Sequence, residues 1–135
     1  MRAETTMSSK VPAGMKYSKE HEWVRMEGNL AVIGITDHAQ HALGDIVFVE
    51  LPKLGAAAKY MKPVGVVESV KAASDIFSPL TGKVAAVNGA LAKTPETINT
   101  DCYGAGWMVK LELSDPKELD NLLDDAAYKA LLADM

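Results

Sequence analysis

Cysteine is nearly absent from this sequence, which has only Cys102 among its 135 residues. A single cysteine excludes a disulfide framework and a cysteine pair for a metal ion, and it fits a reducing compartment. Cys102 lies in the turn-rich stretch from Asn99 to Gly104, which has no nearby histidine to activate a thiol. We therefore do not expect a catalytic cysteine.

A surplus of positive charge is also missing, because 18 acidic residues outnumber the 14 Lys and Arg. General nucleic-acid binders need such a surplus to displace counterions from phosphates, so we expect no nucleic-acid partner. No uncharged run comes close to the roughly 20 apolar residues of a transmembrane helix. We therefore expect a soluble protein without a membrane span.

The first ten residues are polar, unpatterned and without the apolar core of a secretory signal. We predict that residues 1–14 form a flexible N-terminal leader and that residues 15–135 form one domain. A chain of this size can bury a single core without disulfides or metal ions.

Short strands separated by turns dominate the middle of the chain. Glu22–Met26 and the β-branched run Leu30–Thr36 flank the turn signal Glu27-Gly28-Asn29 and predict a hairpin. Further strands are predicted at Ile46–Leu51, Val64–Val70, Ile76–Phe77, Gly82–Val87 and Trp107–Leu113. Many short strands at close spacing favour a mainly β fold, a small flattened barrel or sandwich with terminal helices packed outside.

Helical signals are confined to a few short segments. Asp37 is predicted to cap a helix over His38–Leu43 that ends at Gly44, because a carboxylate accepts from orphaned backbone N–H groups. Asp115-Pro116-Lys117-Glu118 has the residues of a capping box with a first-turn proline. A last helix is predicted from Asp124, with one apolar face at helical spacing formed by Tyr128, Leu131 and Leu132.

Lys71 follows the strand Val64–Val70 and precedes Ala72 and Ala73, which have no bulk to shield it. This pattern predicts a lysine at a hairpin tip, exposed on a rigid support, with its four-carbon side chain directed away from the body. An attaching enzyme could reach such an amine and convert it to a neutral amide. From the local pattern alone, an ordinary solvated turn lysine is the favoured interpretation.

Longer motifs around Lys71 change that interpretation. In chain order they are Lys16-Tyr17, His21-Glu-Trp-Val24, Ile33-Gly-Ile-Thr-Asp-His-Ala-Gln40, Leu43-Gly-Asp-Ile-Val-Phe-Val-Glu-Leu-Pro52, Val67-Glu-Ser-Val-Lys-Ala-Ala-Ser-Asp75, Ser78-Pro79, Tyr103-Gly104 and Gly106-Trp107. With these motifs, residues 15–132 resemble the glycine cleavage system H protein family of the lipoyl/biotinyl-domain superfamily. The resemblance implies the barrel-sandwich hybrid fold of lipoyl domains.

The resemblance also implies that Lys71 carries lipoic acid in amide linkage, as a cofactor on a non-catalytic carrier without catalytic residues of its own. Such a carrier takes the aminomethyl group of glycine from the pyridoxal-phosphate-dependent P protein to the tetrahydrofolate-dependent T protein. It then presents the reduced dithiol to the FAD-containing L protein. A lipoylating enzyme is the further expected partner. We expect a monomer, located in the cytoplasm of a bacterium or in the mitochondrial matrix of a eukaryote.

Three acidic residues are candidates for handling or recognising the arm. By resemblance, Glu22 and Asp75 lie where family members place acids near the parked arm, and a carboxylate there can hold a protonated amine by a charge-assisted hydrogen bond. Glu68, three residues before Lys71, is placed to be read by the lipoylating enzyme. The alternatives are a surface acid or cap for Glu22 and Asp75, and an exposed strand acid for Glu68.

No metal site is predicted. His38 and His41 could share one helical face, but no ligands with zinc-like spacing accompany them, and surface or capping roles are expected for His21, His38 and His41. Trp23 and Trp107 are strand aromatics that we expect in the core or lining a groove.

Two positions depart from the pattern of the family. Met61 stands where relatives commonly carry glycine, which puts the geometry of that turn in question. Lys19-Glu20 replaces the small or proline residues often found before the His-Glu-Trp motif, and this change bears on the rim of the cleft near Glu22.

Three other functions remain open from the sequence. A lipoyl relay protein would donate lipoate to other enzymes, so loss of Lys71 would starve those enzymes too. An enzyme could use Lys71 as a Schiff-base or general-base residue, which usually needs a desolvated lysine. A structural β domain with an acidic C-terminal tail would acquire no adduct on Lys71 under lipoylating conditions.

Overall fold

The computed structural model describes residues 9–135, and this part of the chain is built mainly from short strands. The strands are β1 (Lys16–Tyr17), β2 (Glu22–Glu27), β3 (Leu30–Ile35), β4 (Ile46–Glu50), β5 (Ala57–Ala58), β6 (Pro63–Ser69), β7 (Ala73–Phe77), β8 (Gly82–Val87) and β9 (Val109–Leu113). The helices are α1 (Asp37–Leu43), α2 (Thr97–Thr100) and α3 (Asp125–Ala133), with 3₁₀ turns at Gly89–Ala92 and Pro116–Asn121. Within residues 9–135, no helix has the length and apolar character needed to cross a membrane.

The strands form two antiparallel sheets rather than a closed barrel. The larger sheet has the order β1-β2-β3-β9-β8-β5, and the smaller sheet has the order β4-β6-β7. The predicted mainly β sandwich with short helices, including a C-terminal helix against the outside of the sheets, is confirmed. The predicted β2–β3 hairpin is confirmed as well, and its turn contains Gly28 at φ +63°.

Two clusters of buried side chains hold the sheets and helices together. The larger cluster lies between the sheets and includes Ile33, Val67, Leu80 and Leu111. The smaller cluster packs β1 and β2 against α3, and its centre is the stacked pair Tyr17 and Tyr128. The turn between β6 and β7, residues 70–72, remains exposed at one end of the smaller sheet.

Helix α1 begins one residue earlier than predicted. The N-cap is Thr36, whose Oγ1 accepts from the backbone N–H of Ala39 at 3.2 Å, so the predicted capping role of Asp37 is wrong. Asp37 is the first helical residue and accepts instead from the Lys10 N–H and the Gln40 side chain. The predicted end at Gly44 is confirmed, with φ +84° at the C-cap.

The predicted capping box at Asp115 is only half formed. Asp115 accepts from the Lys117 N–H at 3.2 Å and begins a 3₁₀ turn with proline in its first turn. The Glu118 carboxylate does not turn back to Asp115, because it accepts instead from the backbone N–H and the hydroxyl of Thr81 at 2.6 and 2.8 Å. Glu118 therefore fastens this segment to the start of β8.

The last helix agrees with its prediction. Asp124 is the N-cap of α3 and accepts from the Ala127 N–H at 2.8 Å. Tyr128 is buried, and Leu131 and Leu132 pack against the smaller cluster. The 3₁₀ turn at Gly89–Ala92 and the single-turn helix α2 were not predicted from the sequence.

The part of the predicted leader that the structure describes lies against the domain. The Tyr103 hydroxyl donates to the Lys10 carbonyl at 2.6 Å, and the Tyr17 hydroxyl donates to the Pro12 carbonyl. Residues 9–14 therefore contact the folded body. The remainder of the predicted leader, residues 1–8, lies outside the described residues.

Candidate functional site

Lys71 lies in the turn between β6 and β7, and its side chain is exposed. Ser69 holds this turn closed, because its N–H donates to the Ala72 carbonyl at 2.7 Å. The Ser69 hydroxyl also accepts from the N–H groups of Lys71 and Ala72, at 3.2 and 3.1 Å. A short polar side chain thus makes the projecting turn a fixed support for an exposed amine.

The loop that follows α1 contacts the same turn. The Val70 N–H donates to the Asp45 carbonyl at 3.1 Å. The side chain of Lys71 passes over Gly44, where a Cβ would lie 3.8 Å from Lys71 Cε. Asn99 fixes this loop, because its amide donates to the Gly44 carbonyl and its Oδ1 accepts from the Ile46 N–H, both at 2.9 Å.

A cavity of about 340 Å³ lies between the start of β2, helix α1 and strand β7. Its lining residues combine apolar, acidic and imidazole side chains: Glu20, His21, Glu22, Ile35, His38, Ala39, Ala42, Leu43, Ser74, Asp75 and Ile76. Leu43, one of these lining residues, directly precedes Gly44, beside which the Lys71 side chain lies. The cavity offers an apolar wall for a hydrocarbon chain and acids for a positively charged end.

Glu22 lines this cavity and is almost fully buried, with 1% of its surface exposed. Its carboxylate accepts from the Ser18 hydroxyl and, at 3.4 Å, from the Phe77 N–H of β7. Burial raises the pKa of Glu22 to about 7, although the bonds from Ser18 and Phe77 act in the opposite direction. Glu22 can therefore be neutral or ionised near neutral pH.

Asp75 lines the same cavity from an exposed position on β7. The structure thus brings Glu22 and Asp75 together, as the resemblance implied, and the surface-acid alternative does not fit the buried Glu22. Glu68 does not line this cavity. It pairs with Phe48 and Ala73 across the smaller sheet and is half-buried. The functional roles of these three acids stay predictions.

Sequence reasoning missed a polar chain behind the cavity. His21 Nδ1 lies 2.8 Å from the Tyr128 hydroxyl, which lies 2.8 Å from Thr36 Oγ1. The rings of His21 and His38 are 4.6 Å apart, and His21 has the left-handed φ of +73°. Burial, followed by the charge of His38, lowers the pKa of His21. His21 and Tyr128 are 107 positions apart, so no local pattern could predict their contact.

The other singled-out residues lie elsewhere. His41 is 3.4 Å from Asp37 on the surface of α1, and residues 9–135 contain no group of three or more potential metal ligands. Trp23 lies in β2 and is buried in the smaller cluster, as expected for a core aromatic. Trp107 lies just before β9 rather than in a strand, and it is half-buried against the same cluster. Cys102 is buried, and burial raises the pKa of its thiol to about 12.

Both departures from the family pattern affect local structure. Met61 has the left-handed φ of +62°, a conformation that glycine adopts without steric cost. Glu20 lines the cavity beside His21, so it adds an acid to the rim as expected.

Comparisons with known proteins identify the family. The sequence model described as "Glycine cleavage H-protein" matches residues 15–135. The glycine cleavage system H protein of Symbiobacterium thermophilum is 61% identical over 120 residues, 89% of this chain and 94% of the relative. That of Myxococcus xanthus is 55% identical over 126 residues, 93% of this chain and 98% of the relative.

A solved structure gives the same answer. The glycine cleavage system H protein from Mycobacterium marinum superposes with a TM-score of 0.84 and 35% identity, covering 91% of this chain and 99% of that one. The fold and the hairpin lysine place the chain in the class of lipoyl-domain-like sandwich proteins. Within that class, the chain belongs to the glycine cleavage H-protein family. The predicted lipoyl-carrier role in glycine cleavage is confirmed at this level, and the relay alternative is not favoured.

Proposed function

We propose that Lys71 carries lipoic acid in amide linkage and that the protein is a non-catalytic carrier of the glycine cleavage system. The observation that carries this proposal is the exposed amine of Lys71 on a hydrogen-bonded turn, with its side chain beside Gly44, the residue that follows the cavity-lining Leu43. A Schiff-base or general-base lysine usually needs a desolvated site, whereas Lys71 is exposed. Its exposure therefore favours attachment over catalysis.

The attached group would supply the redox-active dithiolane that accepts the aminomethyl group of glycine. The partners implied by family membership are the P, T and L proteins and a lipoylating enzyme. A tether on Lys71 lets one arm reach each partner's site in turn, because attachment converts capture from solution into local delivery at high effective concentration. The polypeptide would position and protect the attached group, and the group itself would undergo the chemical steps.

The cavity residues fit the resting position of such an arm. Ile35, Leu43 and Ile76 provide apolar contacts for the hydrocarbon chain. Glu22 and Asp75 line the same cavity, where a protonated amine at the end of the arm could donate charge-assisted hydrogen bonds to their carboxylates. Because the Glu22 carboxyl has a pKa of about 7, its charge can respond to the amine that approaches it.

Mass spectrometry tests the attachment directly. Protein incubated with a lipoylating enzyme, lipoate and ATP should gain the mass of one lipoyl amide, and peptide fragmentation should place that amide on Lys71. Lys71→Arg should gain none and should not support glycine-dependent CO₂ release with the P, T and L proteins. The matched control is Lys83→Arg, an exposed strand lysine that should behave like the unaltered protein. An adduct on another lysine, or full activity of Lys71→Arg, would contradict the proposal.

A further inference from the structure

The outward face of the smaller sheet has regular rows of side chains, which begin next to the turn that contains Lys71. Phe48, Glu68 and Ala73 are Cα partners across β4, β6 and β7 and form the first row. Glu50, Val66 and Asp75 form the second row in the same way. Partners in register point to the same side of a sheet, and Val67 between the rows points inward and is buried. These two rows define the outer face.

A β-bulge enlarges the apolar part of this face. The register between β4 and β6 shifts between Ile46 and Phe48, which leaves Val47 as an extra residue on an edge strand. As a result two large apolar residues in succession are exposed, Val47 at 53% and Phe48 at 51%. Val70, next to Lys71, is 72% exposed. A chain that kept strict alternation would have turned one of the two β4 residues inward.

The outer face ends in a recess on the side away from Lys71. This recess has a volume of about 220 Å³ and is lined by Glu50, Leu51, Pro52, Pro63, Val64, Gly65 and Val66. Gly65 keeps β4 and β6 close, because a Cβ there would lie 2.7 Å from the Glu50 carbonyl oxygen. At about 3.3 Å per residue, the surface from Val70 to Val64 extends over roughly 20 Å.

The charge on the outer face has one sign. Its rows contain Glu50, Glu68 and Asp75, and Asp75, which lies on the edge strand β7, also lines the cavity. The sequences of β4, β6 and β7 contain no lysine or arginine. Separated acids around exposed apolar side chains are complementary to a partner with a basic rim and an apolar centre. Because Lys71 projects at one end of this face, a protein that binds here has the amine within reach.

We propose that the outer face is the docking surface for the enzyme that acylates Lys71, a partner with basic residues around an apolar contact. This inference rests on the proposed function, since it assumes that Lys71 is the attachment site. In the reaction, Lys71 Nζ forms an amide bond with an activated lipoyl carboxyl group, and the activating group and a proton leave. Phe48 is the apolar anchor of the interface, and Glu50 is the acid that orients the partner.

The test measures kcat/KM for lipoylation at limiting enzyme, by mass spectrometry. Phe48→Ser and Glu50→Lys should each lower kcat/KM about tenfold, because a central aromatic and a complementary charge dominate such contacts. The matched controls are Met26→Ser, an exposed apolar residue of the larger sheet, and Asp120→Lys, an exposed acid of the second 3₁₀ turn. Both controls should keep the unaltered rate, and thermal unfolding should show that all four variants are folded.

The outcomes separate this inference from the proposed function. With excess enzyme and long incubation, Phe48→Ser and Glu50→Lys should still reach full modification of Lys71, since the amine itself is intact. If the unaltered protein is lipoylated but both variants react at its rate, the docking surface is wrong and the attachment site stands. If variants that were lipoylated beforehand lose activity only with the P protein, the outer face is a docking surface for the P protein and not for the acylating enzyme. If the unaltered protein gains no lipoyl group, the proposed function fails.

Discussion

At the scale of single residues, Glu22 is a carboxyl group enclosed by protein in the wall of the cavity. Ser18 and Phe77 supply it with hydrogen bonds, but these do not replace the water that an ionised carboxylate would have on the surface. The ionised form of Glu22 is therefore less favourable in the folded protein than it would be in water. The charge of the cavity is consequently adjustable near neutral pH.

The Glu22 carboxyl should make folding stability depend on pH. Its folded pKa of about 7 lies above the ordinary 4.5, so the folded protein binds the proton more tightly than the unfolded chain. The stabilising contribution is complete below about pH 4.5 and is lost as the pH rises through about 7. Relative to Glu22→Gln, the unaltered protein should lose up to about 3 kcal/mol over this window.

Urea unfolding of both proteins between about pH 4 and about pH 8 measures this difference. A difference that stays constant with pH would contradict a pKa raised by burial.

Met61 offers a test of backbone strain. A left-handed φ costs a residue with a side chain roughly 1–2 kcal/mol, and glycine avoids most of that cost. Glycine also loses about 0.5–1 kcal/mol through the entropy of the unfolded chain. Met61→Gly should therefore raise the free energy of unfolding by roughly 0.5–1 kcal/mol, as read from denaturant melts. Lys59→Gly, at a residue without positive φ, is the control and should lower it.

At the scale of secondary-structure elements, the β6–β7 turn depends on one hydroxyl group. Ser69→Ala removes the acceptor for the Lys71 and Ala72 N–H groups. We expect a loss of about 1–2 kcal/mol of stability and faster amide exchange confined to the turn. Ser114→Ala, at an exposed position after β9, should change neither quantity. Slow exchange at Lys71 and Ala72 in Ser69→Ala would show that the turn is held by other contacts.

Local signals were enough to predict most elements of the fold. The β2–β3 hairpin was predictable because its alternation and Gly28 specify the turn without help from the rest of the chain. The end of α1 was predictable because only Gly44 suits a left-handed C-cap. The bulge at Val47 was not, because an extra residue on one strand is defined only relative to its partner strand.

The candidate site also contains features that the sequence predicts and features that depend on contacts between distant parts of the chain. Lys71 could be found because the motifs of the resemblance, which span residues 15–132, single it out, whereas its strand and alanine neighbours alone favoured an ordinary turn lysine. The enclosure of Glu22 could not, because it depends on β7, whose Phe77 N–H reaches the carboxylate from 55 positions along the chain. The capping role assigned to Asp37 failed because Thr36 competes for the same N–H groups and lies one position earlier.

At the scale of the whole molecule, the C-terminal helix connects the smaller cluster to the cavity. Tyr128 stacks on Tyr17 with ring centroids 4.7 Å apart, and its hydroxyl contacts His21 and Thr36. The packing of α3 on the sheet therefore positions the Tyr128 hydroxyl that contacts His21 Nδ1. Tyr128 is therefore the residue through which α3 contacts both the smaller cluster and the cavity-lining His21.

Removing only the hydroxyl of Tyr128 tests this connection. Tyr128→Phe keeps the ring stack but leaves His21 Nδ1 and Thr36 Oγ1 without that partner, so we expect a loss of about 1–3 kcal/mol. Denaturant unfolding gives the loss, and the His21 ring resonances in NMR should shift with it. Tyr60→Phe, at a half-exposed turn tyrosine, should leave both unchanged. Equal stability of Tyr128→Phe would indicate that packing alone joins the helix to the cavity.

Gly44 serves two purposes at once. Its φ of +84° ends α1, and its missing side chain leaves open the space beside Lys71 Cε. A side chain at this position would strain the backbone that ends the helix, whose Ala39, Ala42 and Leu43 line the cavity. Its Cβ would also come into van der Waals contact with Lys71 Cε. A single position therefore affects both the surroundings of the Lys71 side chain and the shape of the cavity.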